Sequence, residues 1–243
     1  MAGDQPPLRY GETWVYESIV GALPGINLPT WAAVAIQLLV FEVAVVALAG
    51  FYGLWAAALA GTAAVVVAAI GSVEMLRIGT LVRRIDVPED YRDLLFSSNV
   101  EVVLSVLAYI ALVTHLFVFD PQQGGETLID RLFGPDQPIL VVYLMLLILW
   151  DVCYRIGTGW WAAITSLWRS ARYQFDPETA AVLRRADLEI LGFGLLQLVL
   201  VPFILEFPVL LAAVIAHVLA VTVVMSLSVL LLGRRTRELP TRT

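Results

Sequence analysis

Residues 138–158 read PILVVYLMLLILWDVCYRIGT, and the fold turns on this stretch. No charge occurs from Pro138 to Trp150; Asp151 and Arg155 then follow, four residues apart. A surface helix of a soluble protein keeps one polar face. Here every face is apolar, and a run of about 20 such residues crosses the hydrocarbon core of a bilayer. Residues 138–157 therefore read as a membrane span, and the same reading applies to 31–50, 54–73, 100–118, 189–206 and 208–232. Composition agrees, since 60% of the 243 residues are hydrophobic and 15% charged, against roughly a quarter charged in soluble domains. The expected fold is all-α, an integral membrane six-helix bundle forming one transmembrane domain over 1–243, with 1–30 as an N-terminal interfacial segment.

All fifteen basic residues are Arg, against 21 acids, for a net charge of −6. An acidic, lysine-free composition suits a halophile or a GC-rich genome. It also excludes a light-driven pump of the rhodopsin kind, which needs a lysine for its retinal Schiff base. No nucleic-acid partner is expected. Cys153 has no partner for an internal disulfide and reads as a packing residue. The first thirty residues lack the basic and apolar regions of a signal peptide.

Arginine placement sets orientation. Arg77, Arg83, Arg84 and Arg92 lie in the 74–99 connection, Arg155, Arg169, Arg172, Arg184 and Arg185 in 155–188, and Arg234, Arg235, Arg237 and Arg242 after the last span. The alternate connections hold only Arg131. The arginine-rich face is expected inside, with both termini cytoplasmic in a plasma membrane. The N-terminal LRYGETWVYESIVGAL reads as an amphipathic interfacial helix. ETLIDRLF, within the outer connection, reads as about two helical turns.

Two stretches share an order of features. Glu74, RIGT, Asp86-Val87-Pro88-Glu89 and Glu101 make one; Asp151, RIGT, Asp176-Pro177-Glu178 and Asp187-Leu188-Glu189 make the other. They suggest a parallel two-helix internal repeat with halves 54–118 and 138–206. Asp176 is placed to cap a helix with Pro177 at its first position. Glu74 with Arg77 and Asp151 with Arg155 share helical faces. Together with Glu101, Asp187 and Glu189, they are expected to form a ring of ion pairs at the inner mouth. Gly79 and Gly157 point to close helix approach or a break at the membrane edge. The following GWWAAITSLWRSARY reads as a separate interfacial helix, with Trp160, Trp161, Trp168, Arg169 and Arg172 as lipid anchors.

Glu42 falls near the middle of its span, where an acid costs about 2.5–3.5 kcal/mol on insertion scales. It must be protonated, paired or facing a cavity, and Gln37, Gln197 and His217 are its candidate partners by depth. These four form the expected ion-pathway site. His115 and His217 differ in depth by roughly 9 Å, which does not suit a haem. No zinc site is supported, and no cofactor or metal is expected. HExxH, GxSxG, P-loop, GxGxxG and potassium-filter motifs are missing from the sequence.

YGETWVYESIVGALPG near the start and WDVCYRIGTGWWAA in the middle give the chain a pattern that resembles an uncharacterised family of haloarchaeal multi-pass membrane proteins. The resemblance implies host and membrane setting and brings no activity. Two functions remain expected: a channel or transporter for a small ion, or a non-catalytic scaffold or complex subunit. The partners are the lipid bilayer and a second copy or another membrane subunit.

Overall fold

A computed structural model describes Thr13, Trp14 and residues 29–237. Eight helices make up most of these residues. They are α1 Thr30–Tyr52, α2 Trp55–Arg83, α3 Glu89–Phe96, α4 Val100–Thr114, α5 Leu128–Phe133, α6 Ile139–Arg172, α7 Pro177–Leu196 and α8 Pro208–Arg237. A π-helical stretch, His115–Phe119, and a short turn extend α4, and α7 tightens into a 3₁₀ helix over Gln197–Phe203. Pro202 lies in that last segment, where it withholds a backbone N–H from the helical ladder. Six helical stretches are long and apolar enough to cross a membrane, and no strand occurs among the described residues. This is a multi-pass membrane protein built as a six-helix bundle.

The spans differ from the sequence reading chiefly in length. The second, expected to stop at 73, continues to Arg83; the fourth, expected to stop at 157, continues to Arg172. Hydropathy marks only the part of a helix that lipid surrounds, whereas the backbone stays helical as long as protein covers it. At 1.5 Å per residue α6 is about 51 Å long, well beyond a hydrocarbon core of about 30 Å. Its far end packs in a core of protein, with Trp14, Tyr91, Leu95, Phe96, Phe175 and Leu183 all buried there. GWWAAITSLWRSAR is accordingly the continuation of α6 and not a separate helix on the membrane surface.

α6 is the central helix, in contact with α2, α4, α7 and α8, and α1 packs mainly on α2. Helix ends follow local chemistry. Gly53, at φ 73°, ends α1 in the left-handed conformation, its N–H donating to Ala49 O. Asp176 caps α7, its Oδ1 accepting from the N–H groups of Glu178 and Thr179, both at 3.0 Å. The looser copy of that signal does not cap, since α3 starts after Pro88 without a side-chain hydrogen bond. At the other end of the bundle, Thr127 Oγ1 accepts from Asp130 N at 3.0 Å to start α5.

Both RIGT stretches lie inside helices, but their glycines differ. Gly157 is where α4 crosses α6: an added Cβ would stand 2.6 Å from Ser105 N and 2.8 Å from its Cα. Gly79 borders only the Arg83 guanidinium of its own helix. Of the N-terminal segment, Thr13 and Trp14 are within the described residues, and the remainder of the expected interfacial helix falls outside them. Trp14 is fully buried, donates from Nε1 to Leu95 O at 3.1 Å, and packs edge-on against Phe96.

Candidate functional site

The charged residues of the spans do not form one ring. They separate into two tiers along α6 and an exposed edge. In the first tier, Arg155 Nη2 donates to Asp151 Oδ1 at 2.8 Å, the pair that the four-residue spacing anticipates. Gln37 Nε2, from α1, donates to Asp151 Oδ2 at 2.7 Å, and Arg155 Nη1 lies 3.6 Å from Met75 Sδ on α2. Arg155 has no exposed side-chain surface, and Asp151 keeps 14%. Asp151 sits twelve residues, about 18 Å, from the start of α6. With Arg155 four residues further on, the pair lies about 18–24 Å along the helix, within the candidate span.

A charge at this depth is costly unless paired or facing a cavity, and both conditions hold. Gln37 and Asp151 line one small cavity, with Phe41, Val65 and Ile148. Glu74 and Arg155 line a second small one, with Trp14, Met75, Thr158 and Phe193. The two members of one ion pair therefore face different cavities. The walls are otherwise largely apolar.

In the second tier Arg169 and Asp187, both without exposed side-chain surface, meet at 2.6 Å between α6 and α7. Tyr91 Oη accepts from Arg169 Nη1 at 2.9 Å and Leu183 O accepts from Nη2 at 3.4 Å. Ser228 Oγ, from α8, donates to Asp187 Oδ2 at 2.8 Å. Ser228 has one proton, so the 3.0 Å contact with Ser170 makes Ser170 the donor there. Four helices meet on this pair. Arg169, expected to reach lipid phosphate, is instead buried inside the protein.

At the edge, Arg77 bonds Glu189 of α7 at 2.7 Å, and Arg185 reaches the same oxygen at 3.3 Å. The anticipated Glu74–Arg77 pair within α2 gives way to this contact between helices. Glu101 is fully buried at the start of α4.

The membrane-centre group expected around Glu42 is not assembled. Glu42 Oε1 accepts from Thr62 Oγ1 at 2.7 Å, while Oε2 is buried without a partner. Gln37 bonds Asp151; His217 Nδ1 accepts from Trp160 Nε1 at 2.7 Å; Gln197 is buried where α7 becomes 3₁₀. Glu42 is on the wall of neither cavity beside the Asp151–Arg155 pair. Among the tryptophans assigned to lipid, Trp160 holds His217 and Trp161 Nε1 donates to Leu94 O at 2.8 Å. Trp168 stacks edge-on with Tyr173, and the exposed Arg172 lies over both rings. His115 sits within the π-helical stretch beside Phe119. No group of three or more His, Cys, Asp or Glu side chains able to hold a metal is present among the described residues.

Sequence reasoning missed the second tier. A signal was available: Arg155, Thr158, Ala162, Thr165, Ser166 and Arg169 recur at helical spacing and are all buried, so the inward face of α6 continues past Gly157. Residues 9–228 match the model of a family described as Family of unknown function (DUF7530). No curated protein matches the chain, and no solved structure matches it.

Proposed function

The chain belongs to this family of unknown function, and we propose that it is a channel or transporter for a small ion, with the Asp151–Arg155 pair as the barrier in its path. One observation carries this reading: Asp151 faces one cavity and Arg155 the other, so the pair separates two spaces within the membrane. Opening the pair joins them. Glu74 supplies a second acid on the Arg155 side and Gln37 a polar group on the Asp151 side, so an ion leaving one ligand finds another. An ion crossing here exchanges one set of oxygens for the next, as conduction through weak successive sites requires. The orientation that suits this pathway has the arginine-rich end and both termini inside a plasma membrane, in keeping with the positive-inside distribution.

Flux in proteoliposomes at molar salt, under separate proton, Na⁺, K⁺ and Cl⁻ gradients, tests the reading. Wild type is expected to conduct one of these ions, Asp151→Asn and Glu74→Gln to reduce that flux at least tenfold, and Glu42→Gln to retain it. Absence of flux for every ion under either polarity would overturn it. The second reading, a scaffold or complex subunit, is favoured by the surroundings of Glu42, which accepts a hydrogen bond from Thr62 away from either of these cavities. Co-purification of a fixed membrane partner together with absent flux is the outcome that selects it.

A further inference from the structure

A third cavity is unconnected with either charged tier. It is a half-open cleft at the end of the bundle opposite the arginine-rich one, holding about 740 Å³ when the space on its open side is counted. Its floor is the small-residue run of α2, including Ala57, Gly61 and Ala64, and its walls include Val45 of α1 and Met145 and Leu149 of α6. α5 covers the end facing away from the bundle centre with Leu128, Ile129, Leu132 and Phe133. Every lining residue is apolar, so water gains no hydrogen bond by entering.

The cover is fixed in place. Asp120 Oδ2 accepts from Leu128 N at 3.2 Å, Thr127 caps α5, and Arg131 Nη2 reaches Glu126 at 3.0 Å and Glu206 at 2.7 Å. Arg131 also lies over the Phe207 ring, 4.9 Å from its centre. Hydrogen bonds donated to Glu206 and then Glu126 raise its pKa above the ordinary arginine value. Across 119–137 Arg131 is the sole basic residue, beside Asp120, Glu126, Asp130 and Asp136. The rim is therefore acidic, with its one cation already engaged by two carboxylates.

We propose that this cleft binds the hydrocarbon tail of a membrane lipid whose head group is not anionic. The apolar wall selects a tail, and the connection that covers the cleft has the wrong charge for a phosphate-only head group, its sole arginine being engaged by two carboxylates. Entry is from the side, out of the bilayer, because α5 covers the end.

The test uses the full chain in nanodiscs with two lipids that share one diazirine-bearing tail, a zwitterionic choline lipid and an anionic glycerol lipid. Photolysis followed by peptide mapping is expected to label Met145 and Leu149 at least fivefold over the lipid-facing Leu39 and Val43, more strongly with the zwitterionic lipid, and to be competed by its unlabelled form. Filling the floor by Ala57→Leu with Ala64→Leu should remove the cleft labelling and leave that of Leu39 and Val43. Equal labelling of cleft and lipid-facing residues in wild type, no competition, or preference for the anionic lipid would each overturn the proposal. The wild-type competition needs no variant, so a double substitution that misfolds does not spare the proposal.

Discussion

Two arginines on one helix, fourteen residues apart and both without exposed side-chain surface, are held in opposite ways. Arg169 is bound by groups from two other helices, and its partner Asp187 has both oxygens occupied, one of them by Ser228 of a third. Arg155 has its carboxylate partner on its own helix, and that carboxylate also accepts from Gln37. A pair that joins helices fixes their relative position. The Asp151–Arg155 pair closes on its own helix, reaches α1 and α2 through the neutral groups of Gln37 and Met75, and has a cavity on each side. Burial of a charge thus does not reveal its role; the elements that supply its partners do.

The sharpest way to break this comparison is to remove one partner from each tier. Asp187→Asn is expected to cost about 3–5 kcal/mol, the usual effect of leaving a buried charge uncompensated. Asp151→Asn, whose one amide oxygen still accepts from Arg155 while its NH2 faces a Gln37 amide that can turn to accept, is expected to cost about 1–3 kcal/mol. Reversible unfolding in mixed detergent micelles measures both; equal losses would show that the tiers do the same work.

The two RIGT glycines sharpen the comparison next. Gly157→Ala drives a methyl into the Ser105 backbone and should cost about 1–3 kcal/mol. Gly79→Ala meets only the end of the flexible Arg83 side chain, and should be neutral or stabilising by up to about 1 kcal/mol through helix propensity. Comparable destabilisation by both, in the same unfolding assay, would mean that the two copies are packed alike.

Glu42→Gln comes third. The amide oxygen still accepts from Thr62, so stability should change by less than about 1 kcal/mol. A larger change would make Glu42 a third site of tight coupling.

The smallest effect concerns pH. The Thr179 side chain and backbone amide, with the Glu178 amide, hold Asp176 below its ordinary value of 3.8. Its folded pKa is therefore lower than its unfolded one; the stabilisation is present above about pH 4 and fades as pH falls through the folded value. Asparagine caps without titrating. Thermal unfolding of Asp176→Asn should show a weaker acid dependence than wild type below pH 4, and parallel curves would contradict the cap's charge dependence.

How much of this was legible in the sequence depended on range. Six spans were readable because an uncharged run excludes water at every face, and the Asp176 cap and the Asp151–Arg155 spacing were readable because they are local. Arg169–Asp187 was not, since its partners come from Tyr91, Leu183 and Ser228, and pairing across that distance leaves no periodic mark. Tryptophans beside arginines fit a membrane surface and a protein core equally well by composition. The same limit applies to Arg77, whose nearest acid along the helix lost to Glu189 on another.

α6 runs unbroken from the edge of the apolar cleft, past both arginines, to Arg172. Mechanically it is a lever about 51 Å long, and a tilt of about 10° moves one end roughly 9 Å relative to the other. A helix longer than its bilayer responds to thinning by tilting. The load from a thinner membrane would fall on the single Gln37–Asp151 hydrogen bond before the fourfold joint at Arg169, making α6 the element through which membrane thickness reaches the centre of the protein.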